Sequence, residues 1–109
     1  MNYKVTIETA IRELAKEKKQ RFTTLLQNGS MSVEYYAPIK TDPQQPHLQD
    51  ELYIIISGTG IFFRNGDRLT FKPGDLLFVP AGMEHRFEEF TEGFATWVIF
   101  YGPEGGEKE

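Results

Sequence analysis

Gln45-Pro-His47-Leu-Gln-Asp-Glu51, closed by Gly58, and Gly74-Asp-Leu-Leu-Phe-Val-Pro80-Ala-Gly82-Met-Glu-His85 are the two stretches that decide how this chain reads. Between them they hold its only two histidines and an acidic residue. Strand side chains alternate between faces, so Gln45, His47 and Glu51 share one face if no bulge falls between Leu48 and Asp50. On that parity Tyr53 and Ile55 point inward, and Leu52, Ile54 and Ile56 point outward. His85 lies on another strand, and only a closed barrel sets it beside His47.

The first stretch has the form Q-x-H-x3-E-x6-G and the second G-x5-P-x-G-x2-H. Together they resemble the two signature motifs of the cupin superfamily, G-x5-H-x-H-x3,4-E-x6-G and G-x5-P-x-G-x2-H-x3-N. Three positions depart from the pattern. Gln45 replaces the first histidine, Ile39 the opening glycine, and Glu89 the final asparagine. The resemblance implies an all-β fold, a small jelly-roll barrel (a double-stranded β-helix), with His47, Glu51 and His85 holding a divalent metal inside. Such a match gains weight when its structural context fits, and here the context is strand, Gly-containing hairpin, strand.

Two imidazoles and a carboxylate are the ligand set of a non-haem Fe(II) triad, and the same set takes Zn(II), Mn(II), Ni(II) or Cu(II). Gln45 is the candidate for a fourth ligand through its amide oxygen, or for a hydrogen bond to a metal-bound water or substrate. The plain alternatives are a histidine on solvated surface and a barrel that has lost its metal. Tyr35, Tyr53, Phe87 and Trp97 are the pocket-lining candidates, although aromatic rows in strands are more often core. Asp50 and Glu84 have the opposite parity to the ligands and are expected outside the barrel. Arg64 and Arg68 flank a turn as exposed cross-strand partners. Pro80 ends a strand, and Gly82 and Gly58 or Gly60 let the chain turn.

The rest of the chain supports this frame. Thr6 to Lys19 has helical spacing at Ile7, Ile11 and Leu14, with Thr6 or Thr9 as cap and lysines at the far end. From Arg21 the period becomes two. Phe22 to Leu26 reads as a strand, Asn28-Gly29 as a turn, and Met31, Val33, Tyr35 and Ala37 as the buried face of the next strand. Pro38 to Pro46 is a polar, proline-rich loop. Leu52 to Ser57 is apolar on both faces. Ile61 to Phe71 is a hairpin about Asn65-Gly66, followed by a turn at Lys72–Asp75. Leu76–Val79, His85–Phe87 and Phe94–Tyr101 complete seven or eight strands. The expected layout is a helix in residues 1–20 packed on a barrel of residues 21–102, with a fraying tail over 103–109.

Composition bounds the function. The 109 residues suit one domain, and the formal net charge is −4, with 39% hydrophobic and 26% charged residues. Lys16 to Arg21 is the one basic run and reads as a solvated helix end, so no nucleic-acid partner is expected. No apolar run reaches the roughly 20 residues of a membrane span. No signal peptide is visible, and cytoplasm is the default location. The absence of cysteine excludes disulfides, thiolate ligands and a Cys nucleophile. Nine Phe, five Tyr and one Trp must fill a core or an interface. The outward Ile row and the two-sided last strand point to a homodimer. The expected function is a metal-dependent enzyme on a small organic substrate, either dioxygenase-like or an isomerase or lyase. The alternative is a non-catalytic small-molecule-binding or metal-free module.

Overall fold

The computed structural model describes residues 4–108. The first three residues of the N-terminal segment, with the part of the signal-peptide reading that rests on them, and Glu109 lie outside the described residues. One helix precedes eight strands: α1 (Ile7–Ala15), β1 (Phe22–Asn28), β2 (Met31–Tyr36), β3 (Asp50–Ser57), β4 (Gly60–Arg64), β5 (Asp67–Phe71), β6 (Leu76–Val79), β7 (His85–Glu88) and β8 (Ala95–Tyr101). They form two antiparallel sheets, β1-β2-β8-β3-β6 and β5-β4-β7. Tyr36, Tyr53, Ile55, Phe62, Phe71, Leu77, Val79, Phe87, Phe94 and Val98 form the main core. The aromatic load is therefore mostly interior, and its rings meet edge-on or tilted, as in Tyr53–Phe87 with centroids 4.8 Å apart.

The helix begins where the capping residue predicts, with the Thr6 hydroxyl accepting the Thr9 N–H at 3.1 Å. It stops at Ala15, four residues short of the expected Lys19. Beyond Ala15 the sequence is Lys-Glu-Lys-Lys-Gln, with no apolar side chain to bury. Ala10 and Leu14 face the sheet, while Ile7 and Ile11 are exposed. Small Ala10 lets the helix sit close over Tyr35 and Ala95, with Leu25, Ala37, Ile56 and Trp97 at the margin.

Two turns follow sequence rules directly. Arg64 pairs with Asp67 around Asn65 and Gly66, both at positive φ (48° and 92°), the pattern of a two-residue hairpin. Gly58 has φ 86°, and a Cβ there would lie 2.7 Å from the Phe94 Cα. β1 runs on to Asn28, so its hairpin turns on Gly29 and Ser30, and the strand carries a bulge between Thr24 and Leu26.

Backbone bonds stitch the two decisive stretches together. Gly82 N–H donates to the His47 carbonyl at 2.8 Å, and Ala81 N–H donates to the Asp50 carboxylate at 2.9 Å. The segment expected to fray is also held. Gly105 N–H reaches the Leu48 carbonyl (2.7 Å), and Glu107 N–H reaches the other oxygen of Asp50 (2.9 Å). The N–H groups of Glu107 and Ala81, both donating to it, hold the Asp50 carboxyl below its usual range. Fraying was expected because the tail has no apolar residue to bury, but backbone donors need only a fixed acceptor.

Candidate metal centre

β3 and β7 come from opposite sheets and carry Glu51 and His85 into the interior, where both are buried. His47 projects from the loop just before β3, with its side chain one-third exposed. One potential ligand atom from each of the three residues lies within 4.8 Å of the others. Strand parity places Glu51, Tyr53 and Ile55 inward as expected, with Leu52, Ile54 and Ile56 only part-buried on the other face. Parity has no bearing on residues 45–49, because no strand forms there.

The polar atoms inside are the informative ones. His85 Nε2 and Glu51 Oε1 approach to 3.1 Å, yet neither makes an aligned hydrogen bond, and both Glu51 oxygens lack a donor. A buried carboxylate that receives no aligned hydrogen bond is costly. Three donor atoms gathered round one point, two of the groups otherwise unsatisfied, fit a divalent cation. His85 Nδ1 sits 2.9 Å from the Met83 carbonyl, the second-sphere contact that leaves Nε2 free as a ligand. Burial opposes protonation of His85, but Glu51 and the Met83 carbonyl outweigh it and raise its pKa. At His47 burial prevails over the attraction of Glu51, and the pKa falls.

Above His47 opens a cavity of about 460 Å³, a size suited to a small molecule. Glu34, Tyr36, Gln44, Val98 and Phe100 form its inner wall, and Lys19 and Arg21 stand among its outer residues. Burial, with the charge of Glu51 added, pushes the Glu34 carboxyl up to about 7 against a hydrogen bond to Thr24. The Tyr53 hydroxyl donates to Gln44 Oε1 at 2.8 Å, and burial drives its own ionisation well above the usual range.

The other candidates divide. Tyr53 and Phe87, also expected to line the pocket, are packed in the main core instead. Tyr35 and Trp97 do not line the cavity above His47. They pack edge-to-face beneath the helix, on the outer face of the sheet. Of the residues read as the buried face of the strand that forms β2, Tyr35 and Ala37 pack with the helix, and the barrel side receives Glu34 and Tyr36 instead. Gln45 is exposed, and it is Gln44 that reaches His47, at 3.2 Å. Glu84 is exposed, and Asp50, on the opposite parity to Glu51 as expected, is buried by the tail that it clasps. Arg68 pairs with Glu88 at 2.9 Å across the strands, while Arg64 is half-buried with its Nε unpartnered.

Sequence reasoning missed Asp42, a buried carboxylate in the proline-rich loop. It accepts hydrogen bonds from the Tyr36 hydroxyl, the Gln44 amide (2.7 Å) and Phe87 N–H (2.8 Å). A loop without period gives no sign of which residue turns in.

Comparison with known proteins agrees with this geometry. Residues 32–101 match the family described as "Cupin domain". An uncharacterised protein of Streptomyces coelicolor is 34% identical over 85 residues, covering 76% of this chain and 81% of that one. The HTH-type transcriptional activator RhaS of Yersinia pestis is 30% identical over 77 residues, covering 71% of this chain but only 28% of the activator. A solved structure from Ralstonia eutropha, described as a proposed mannose-6-phosphate isomerase, superposes with a TM-score of 0.59 at 27% identity, covering 75% of this chain and 83% of that one. Among the described residues no helix is long and apolar enough to cross a membrane.

Proposed function

The chain belongs to the cupin domain family, and from that premise we propose that His47, Glu51 and His85 hold one divalent metal at the base of the cavity, where the protein acts on a small organic molecule. The observation that carries this is the pair of unsatisfied buried groups, Glu51 and His85, gathered with His47. A metal so held supplies Lewis-acid polarisation or oxygen activation. With three protein ligands, positions remain open to substrate, as catalytic sites require. Phe100 and Val98 give the substrate an apolar wall, and the Glu34 carboxyl, poised near neutrality, stands in the cavity to take or return a proton. The reaction is dioxygenase-like, or an isomerisation or elimination. The likeness to the Ralstonia protein supports isomerisation.

The reading extends to a homodimer in the cytoplasm. Leu76 (63% exposed) and Phe78 (45%) adjoin Ile54 and Leu52 on the outer face of the large sheet, beside the helix. A second copy would cover them. A different reading, a sensing module without catalysis, is favoured by the likeness to RhaS, of which this chain spans about a quarter.

Elemental analysis of tag-free protein beside His47→Ala tests the metal. Near one equivalent of a first-row metal, lost in the variant, is expected. Absence from both after reconstitution would refute the site and leave an organic-ligand module.

A further inference from the structure

Resting on the metal reading above, we propose that the side-chain oxygen of Gln44 is a fourth protein ligand, delivered to the ion by Asp42. The orientation of an amide is fixed by its neighbours. Asp42 presents only acceptor oxygens and already receives Tyr36 and Phe87 N–H, so the Gln44 NH₂ must face it, at 2.7 Å. The Gln44 oxygen is thereby turned inward. One of its lone pairs takes the Tyr53 hydroxyl at 2.8 Å, and the same oxygen lies 3.2 Å from His47 Nε2. Two atoms each about 2.1 Å from one ion and at adjacent coordination positions are about 3.0–3.4 Å apart. The Gln44–His47 separation falls in that range, as does the 3.1 Å between His85 and Glu51.

Without metal, the 3.2 Å contact serves as a hydrogen bond from a protonated Nε2. Metal binding displaces that proton and leaves a neutral oxygen facing the ion. The set becomes two imidazoles, a carboxylate and an amide oxygen. Such a set carries a single protein negative charge and suits a harder divalent ion better than a third imidazole would. The neighbouring Gln45 is exposed and takes no part.

Mn(II) equilibrium dialysis and water-proton relaxivity of the Mn(II)-loaded protein test this, with circular dichroism as a check on folding. In Gln44→Ala a water should replace the lost ligand. Relaxivity then rises by one inner-sphere water and affinity falls about tenfold or more. Gln45→Ala should match the wild type in both. If Gln44→Ala does not fold, Gln44→Asn, one carbon shorter, is expected to show the same rise. Unchanged relaxivity in a folded variant, with or without weaker binding, overturns the proposal, since Gln44 would then act through His47 or not at all. A change confined to Gln45→Ala overturns it equally. Wild-type protein that takes up no Mn(II) fails at the first step, which refutes the metal reading beneath the proposal and the proposal with it.

Discussion

Glu34 is the residue whose charge state the fold alters most usefully. Its carboxyl is raised from the ordinary 4.5 to about 7, so the folded chain holds that proton more tightly than the unfolded chain does. The contribution to stability is fully present below the ordinary 4.5, declines between the two values, and is lost as pH rises through about 7. Glu34→Gln removes the penalty of ionisation. Melting of metal-free protein should show the variant gaining on wild type between about pH 5 and about pH 8, by only about 2–4 °C because the group is part-exposed. An equal difference at both pH values would show that the carboxyl is not perturbed. His47, Glu51 and His85 were readable from sequence because each lies at a fixed spacing in a motif. Gln44 was not. Pro43 and Pro46 flank it, no strand forms there, and alternation has no meaning without a strand.

Among the elements, the Asn65-Gly66 hairpin was the most legible, because only its backbone conformation matters and both residues tolerate positive φ. β2 was legible as a strand but not by face. Its two sides are both apolar in part, and the side that carries Tyr35 goes to the helix. The turn from β3 to β4 depends on Gly58, where a methyl group would meet the Phe94 backbone. Gly58→Ala should lower stability by about 2 kcal/mol or more in denaturant titration, from left-handed strain and the clash together. A loss under about 0.5 kcal/mol would mean that the approach of β3 to the segment before β8 is easily relaxed.

At the scale of the whole molecule, the helix covers only part of the outer face of the large sheet. The helix takes Tyr35, Ile56 and Ala95, while Ile54, Leu76 and Phe78 remain uncovered toward the β6 edge. For the proposed dimer, light scattering should find wild type as a dimer and Leu76→Glu, a change at an already exposed position, as a monomer with the circular dichroism spectrum intact. An unchanged dimer would move the interface elsewhere. Sequence parity exposed this face but not its division, because which rows the helix covers depends on where it docks. The same division has a spectroscopic consequence. The chain's single tryptophan, Trp97, lies at the margin of the helix and against Tyr35, on the opposite face of the large sheet from Glu51. Its fluorescence is therefore a built-in label for the outer surface. Its emission maximum will shift to the red when the helix lifts away and more water reaches the indole, while Tyr53, with its ring centroid 6.1 Å from that of His85, lies in the interior.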